Sequence, residues 1–313
     1  MPPVVNVPPR VNQSDPSEVL RRLDLVVRRR LDGLLNGEYL GLVPGHGTEQ
    51  GETRLYTPGD DVRRIDWNVT ARMTEPYIRE TIADRELECW ILADDSPSLD
   101  FGTALCEKRD LAVSAASAIG FITHRTGNRL GAVLAGPDAR QIVPARGGKD
   151  HLMAVLHRLV SAARHPSGRT DLAGALDSLG GIARRRGLVV VVSDFLEDPD
   201  LWRRPLARLG VRHEVLCIEI VDPREIELPS VGVLHMVDPR SGELFEIQTA
   251  NPKIRERYAA AAAAQRGAIA EAIRAAGSDH LQLRTDRDWL LDIVRFVAQR
   301  RERTRDIAPR TSA

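Results

Sequence analysis

Apolar positions along this chain recur with a period that switches between those of helices and strands. The first periodic stretch is helical: Leu20, Leu23, Val27, Leu31 and Leu34 share one face of a basic amphipathic segment, and Ser17 stands where a cap belongs. Gly33, Gly37 and Gly41 break that pattern, and residues 37–85 are rich in glycine and charge, with short strand-like pieces. From Leu87 the alternation becomes regular. Residues 87–93 read as a buried strand ending at Asp94, and residues 107–125 as a helix stopped by Gly127. Residues 130–135 and 140–144 read as strands joined through Gly136-Pro137-Asp138. Helices are expected over 151–163 and 172–185. The aliphatic run 188–193 is that of a central parallel strand covered on both faces. Asp198 and Pro199 open a further helix that Gly210 ends, and residues 211–220 form another strand. Residues 222–249 read as an inserted hairpin turning at Pro239 and Gly242. A long alanine-rich helix over 251–276, a strand over 280–284 and a helix over 288–301 complete the pattern.

This order predicts an α/β fold with a doubly wound, mostly parallel sheet, whose carboxyl edge is where a ligand sits. It divides the chain into a disordered tail (1–17), a helix with a small β-rich module (18–86), the α/β domain with its hairpin (87–302) and a polar tail (303–313).

Composition narrows the function classes. Lys+Arg and Asp+Glu both total 44, and a formal net charge of zero argues against a dedicated nucleic-acid binder. The clusters Arg28-Arg29-Arg30, Arg184-Arg185-Arg186 and Arg300-Arg301 read as solvated helix faces. Three widely spaced cysteines, Cys89, Cys106 and Cys217, fit a reducing compartment and exclude a cysteine-based metal site. No signal-peptide pattern opens the chain. The longest near-apolar stretch, residues 111–123, falls short of the roughly 18 residues a membrane span needs. A cytoplasmic protein is expected.

Three loops leave the predicted carboxyl edge with oxygen ligands: Asp94-Asp95-Ser96-Pro97-Ser98, Thr170-Asp171-Leu172 and Ser193-Asp194. Taken singly, Ser96 and Ser98 read as turn residues, Thr170 as a helix cap and Asp194 as a loop carboxylate. Taken together, Asp94, Ser96, Ser98, Thr170 and Asp194 make an all-oxygen donor set suited to Mg²⁺ or Mn²⁺, and an unfilled position would accept a partner's carboxylate.

The order Asp-x-Ser-x-Ser, then Thr, then Asp resembles the metal-ion-dependent adhesion site of von Willebrand factor A domains and integrin I domains, and the element order over residues 87–302 resembles their fold. The resemblance implies that these five residues hold the metal, some through water. Two departures stand out: Asp171 where the family often has Asn, and Phe195 where it usually has Gly, which is expected to alter access to the site.

A second signature lies upstream, from Arg54 through Pro58-Gly59-Asp60-Asp61, Arg63-Arg64-Ile65-Asp66-Trp67, Thr70-Ala71-Arg72 and Pro76 to Arg79-Glu80. Pro58-Gly59 fits the centre of a type II turn, Asp60 or Asp61 can cap a helical turn over 62–67, and the arginines alternate with acids as in an ion-pair network. This string closely resembles the domain of unknown function 58 family. The resemblance implies a non-enzymatic adaptor that works with a MoxR-type AAA+ ATPase and a client protein in protein maturation or complex assembly. The chain has no phosphate-binding loop of its own: Gly147-Gly148-Lys149 lacks the earlier glycine and is followed by Asp150. Two other readings stay open. A metal-dependent phosphohydrolase would use Asp94 as nucleophile, but its pattern needs a second Asp where Ser96 stands. A structural scaffold would leave the site empty.

Overall fold

The computed structural model describes residues 5–12, 14–34, 53–57, 62, 65–73, 75–79, 87–137, 139–238 and 241–307. Helix α1 (Pro16–Leu34) starts two residues earlier than expected, because Asp15 rather than Ser17 caps it: the Asp15 carboxylate accepts from the Ser17 N–H at 2.8 Å. Its apolar stripe, Val19, Leu20, Leu23 and Val27, is buried. The signature region forms strand β1 (Thr53–Leu55), the short helix α2 (Trp67–Thr70) and strand β2 (Tyr77–Arg79), with β1 and β2 antiparallel. The helical turn sits later than expected, since Asp66 accepts from the Val69 N–H at 3.3 Å and so caps it. Thr70 Oγ1 accepts from the Tyr77 N–H at 3.0 Å, tying α2 to β2. The expected turn at Pro58-Gly59, the caps Asp60 and Asp61, and the Arg63-Arg64 part of the ion-pair network lie outside the described residues, as do the side chains of Arg54 and Arg79.

The α/β body follows in chain order as β3 (Glu88–Asp94), α3 (Lys108–Arg125), β4 (Arg129–Ala135), β5 (Arg140–Arg146), α4 (Lys149–Val160), α5 (Leu172–Ile182), β6 (Gly187–Ser193), α6 (Pro199–Gly210), β7 (Glu214–Val221), β8 (Val233–Val237), β9 (Leu244–Gln248), α7 (Pro252–Ala275), β10 (Asp279–Arg284) and α8 (Trp289–Ile307). The six-stranded sheet runs β10-β7-β6-β3-β4-β5. All neighbours are parallel except the edge pair β4/β5. Every residue of β6 is buried, as expected of a strand paired on both edges and covered on both faces. One face carries Cys89, Ile91, Val190 and Ile218 against α1, α3, α4 and α8. The other carries Trp90, Leu92, Val191 and Cys217 against α5, α6 and α7. This is the doubly wound, mostly parallel α/β arrangement that the element order predicts. The hairpin β8/β9 stands apart as its own two-stranded sheet.

Two expectations about the ends are corrected. Residues 5–12 are held, not free: Val11 N–H donates to Asp110 Oδ1 at 2.7 Å, Asn6 Nδ2 to Asp288 Oδ2 at 2.8 Å, and Pro8, Pro9 and Val11 are buried. Proline has little backbone freedom to lose, so ordering such a segment costs less than its composition suggests. Helix α8 runs to Ile307, past the expected end at residue 301. The N-terminal helix α1 also packs on α3, α4 and α8, so it belongs to the α/β body rather than to the β1/β2 module. No described helix is long and apolar enough to cross a membrane.

All three cysteines are free and buried. Burial pushes the thiols up, those of Cys89 and Cys106 to about 12, so thiolate is scarce near neutral pH. A chromogenic disulfide reagent at pH 8 should label the native protein on the order of a thousandfold more slowly than the denaturant-unfolded chain, in which all three react. Rapid labelling of one thiol in the native protein would contradict the buried placement.

Candidate functional site

The direction in which successive strands are added across the sheet reverses between the parallel neighbours β3 and β6. After β3 the chain builds outward to β4 and β5, and after β6 it builds the other way to β7 and β10. Loops leaving the two central strands diverge and open a crevice at their carboxyl ends, the usual ligand position of doubly wound sheets. The five expected residues meet there. Asp94 ends β3, Ser96 and Ser98 flank Pro97 at the entry to a 3-10 turn, Thr170 precedes α5, and Asp194 follows β6. They line a cleft of ≈ 150 Å³ together with Ser193 and Leu196.

Hydrogen bonds organise the cleft. Asp94 Oδ1 accepts from the Ser96 N–H and from Thr170 Oγ1, both at 2.9 Å, and Asp94 Oδ2 accepts from Ser193 Oγ at 2.6 Å. The Ser96 and Ser98 hydroxyl oxygens lie 2.8 Å apart. Asp194 Oδ1 accepts from the Leu196 N–H at 3.2 Å. The ordinary readings hold in part: Ser96 and Ser98 sit at the 3-10 turn after β3 and Asp194 on the loop after β6, but Thr170 is not a helix cap. Ser96 makes no side-chain cap bond, and the cap of α5 is Asp171, whose carboxylate accepts from the Gly174 N–H at 2.8 Å. That leaves the Thr170 hydroxyl for Asp94.

The rim of the cleft carries the exposed Arg169 and Asp198, while the charges behind it are largely enclosed. Burial, then the charge of Asp194, pushes the Asp94 carboxyl above its ordinary range against the hydrogen bonds it accepts. Burial acts on Asp194 in the same sense, yet Lys108 holds it below the usual carboxylate range. Lys108, at the first turn of α3, has no exposed side-chain surface; its Nζ lies 2.8 Å from Asp194 Oδ2 and 2.5 Å from Glu225 Oε1. Glu225 Oε2 pairs with Arg266 of α7 at 3.0 Å, and Arg266 donates to the Asp194 carbonyl at 3.0 Å and to Glu219 Oε1 at 2.9 Å. His280 and Gln282 complete Glu219. On the other side, Arg109 pairs with Asp95 and Asp100 and reaches the Ser96 carbonyl, which pins the loop after β3.

Lys108, Glu225, Arg266 and the Ser193 hydroxyl were not among the expected site residues. One signal for Lys108 was present: residues 111–123 are apolar around much of the helix, and such a helix is buried on all sides. Charges at its first turn must then be buried and paired. Phe195 does not alter access. Its ring is fully buried, points into the core, and meets Trp202 edge-on with centroids 5.4 Å apart, while its backbone keeps a left-handed φ of 53°.

The residues present fit a hard divalent cation. Two carboxylates and three hydroxyls converge on a concave edge, and a cation between Asp94 and Asp194 would relieve their mutual repulsion. Among the described residues no group of three or more His, Cys, Asp or Glu side chains forms an alternative metal cluster.

A family model described as "Protein of unknown function DUF58" matches residues 52–268. An uncharacterized protein of Mycobacterium tuberculosis is 52% identical over 305 residues, covering 96% of each chain. An uncharacterized protein of Mycobacterium avium is 47% identical over 160 residues, covering 51% of this chain and 94% of that one. Among solved structures, conserved hypothetical protein BatB from Bacteroides thetaiotaomicron has a TM-score of 0.45 at 10% identity, covering 69% of this chain and 99% of that one. The SpRpn10 VWA domain has a TM-score of 0.41 at 14% identity, covering 67% and 94%.

Two outcomes follow from the local geometry. Phe195→Ala should destabilise the protein by about 3 kcal/mol through lost core packing. Phe195→Gly should cost less than Phe195→Ala, because glycine adopts φ = 53° freely. Urea unfolding of both variants checks the ranking, and the reverse order would remove strain from the account. The second concerns Asp222, whose buried carboxylate accepts from Thr103 N–H and Oγ1, the Arg224 N–H and Thr285 Oγ1 at 2.6 to 2.9 Å and fixes the turn that carries Glu225. Burial opposes its charge, but these bonds outweigh it and hold its pKa below the ordinary value. A depressed folded pKa contributes stability above the unfolded value, about 4, and the contribution is lost as pH falls through the folded value. Thr285→Val should therefore cost about 1–2 kcal/mol near pH 7, with the deficit shrinking in acid; a deficit independent of pH would show that the hydroxyl acts through packing alone.

Proposed function

The chain belongs to the DUF58 family, and from that premise we propose that it is a non-enzymatic, metal-dependent protein-interaction adaptor. The observation that carries this reading is the convergence of Asp94, Ser96, Ser98, Thr170 and Asp194 on one cleft at the switch point of the sheet. Mg²⁺ or Mn²⁺ held there would supply a fixed positive charge for a carboxylate offered by another protein. The two Asp side chains balance the ion's charge, and the three hydroxyls give neutral oxygens without adding negative charge that would repel the incoming group. Ser193 and the Ser96 N–H hold the Asp94 carboxylate in one orientation.

The partners on this reading are a MoxR-type AAA+ ATPase and its client protein, and the three free thiols accord with a cytoplasmic setting. Binding is favoured over phosphoryl transfer by the state of Asp94. Both of its oxygens already accept hydrogen bonds from the chain, and the second Asp that such chemistry needs is replaced by Ser96.

Calorimetric titration with Mg²⁺ and Mn²⁺ should give one site per chain in the wild type. It should give none in the Asp94→Ala/Ser96→Ala variant, whose circular dichroism stays native. The wild type should then retain a purified MoxR-type ATPase in a pull-down and release it in EDTA. No ion binding, with ATPase retention unaltered by EDTA, would overturn the metal-dependent reading.

A further inference from the structure

Lys108 is an unusual neighbour for a cation site. Its ammonium is fully enclosed and lies between two carboxylates from distant loops, Asp194 after β6 and Glu225 after β7. The two carboxylates of the cleft are therefore unequal. Asp94 is bonded only by neutral donors: an N–H and two hydroxyls. Asp194 is already neutralised by a tethered positive charge on Oδ2, and its Oδ1 accepts from the Leu196 N–H. A divalent ion and an ammonium beside one carboxylate repel each other and divide its charge, most strongly where water is excluded. Lys108 also has somewhere to remain when Asp194 is drawn to an ion, since Glu225 holds it from the other side and is itself steadied by Arg266.

The geometry points to Lys108 as an internal counter-cation that competes with the divalent ion for Asp194 and so sets the ion affinity of the cleft. This rests on the reading of the cleft as a metal site. The competition leaves the isolated protein a weak ion binder and makes ion retention depend on the carboxylate that a bound partner adds, because a second negative ligand restores the charge that Lys108 has withdrawn from Asp194.

The test compares Mn²⁺ binding by calorimetry in the wild type, Lys108→Met and the double variant Lys108→Met/Glu225→Gln. The double variant removes one positive and one negative charge, so the net charge near the cleft is unchanged and a gain in affinity reports the freeing of Asp194. In the single variant Asp194 loses its ammonium while Glu225 keeps Arg266, so that variant also adds a net negative charge beside the cleft. We expect Mn²⁺ to bind the double variant roughly tenfold or more tightly than the wild type. Binding seen only in the double variant would support the inference equally. Unchanged or weaker binding in the double variant, with binding in the wild type still abolished by Asp94→Ala, would overturn the role of Lys108 and leave the metal reading standing. No binding in any of the proteins would overturn both. A second measurement needs no variant of the buried pair: in the wild type titrated with Mg²⁺, the slowly exchanging lysine ammonium signal in ¹⁵N NMR should shift with the calorimetric midpoint. A signal unmoved at saturation would overturn the inference.

Discussion

The enclosure of helix α3 constrains much of this structure. The helix lies across β3, β4, β6 and β7 on one side and is covered by α1, α4 and α8 on the other, so residues 108–123 have nowhere to meet water. Most of that length is apolar and gains from burial. Its first turn is not: Lys108, Arg109 and Asp110 are carried inside with it. A buried charge left alone costs several kcal/mol, so each of the three requires a partner. Lys108 takes Asp194 and Glu225, Arg109 takes Asp95 and Asp100, and Asp110 accepts the Val11 N–H. These partners lie on the loops after β3, β6 and β7 and on the N-terminal segment. One helix terminus thus fixes the carboxyl edge of the sheet and the path of residues 5–12.

That arrangement explains how the cleft keeps its shape while holding groups that repel. Asp94 and Asp194 would move apart if their loops were free. Arg109 holds the first loop through Asp95, Asp100 and the Ser96 carbonyl, and Arg266 holds the second through the Asp194 carbonyl. Phe195 adds a hydrophobic anchor directly after Asp194, with its ring set against Trp202 at the cost of a left-handed backbone. Where glycine would allow that conformation without strain, this chain accepts strain and gains core packing. Strained residues persist where the surroundings over-determine them, and the neighbourhood of a binding loop is a common place for them.

How much of this was legible in the sequence depended on range. The sheet, its helices and the five cleft residues were legible because each signal is local: a run of aliphatics, a glycine stop, a D-x-S-x-S spacing. The caps were less so. Asp15 and Asp171 were passed over for Ser17 and Thr170, and neighbouring polar residues compete for a cap on differences of less than about 1 kcal/mol. The ordered N-terminal segment was not legible, because the aspartates that hold it lie 99 and 282 positions away. Lys108 was hidden for the same reason, with partners 86 and 117 positions distant. Phe195 stands where the resembling family usually has glycine, which suggests altered access, but its ring packs against Trp202 in the core.

On the proposed reading, these features favour a reversible grip over a permanent metal centre. A structural metal site gathers ligand charge until the ion is held without help. Here the shell has only two carboxylates; one accepts three neutral hydrogen bonds and the other is shared with an ammonium. Three hydroxyls supply geometry without charge. Such a shell leaves the ion's positive charge under-compensated, so the missing negative ligand must come from outside the chain. An adaptor that must take hold of a partner and later release it gains from that deficit, because ion and partner then each bind more tightly in the other's presence. The buried Lys108 sets the size of the deficit, and its position is dictated by the same helix that holds the sheet's edge together.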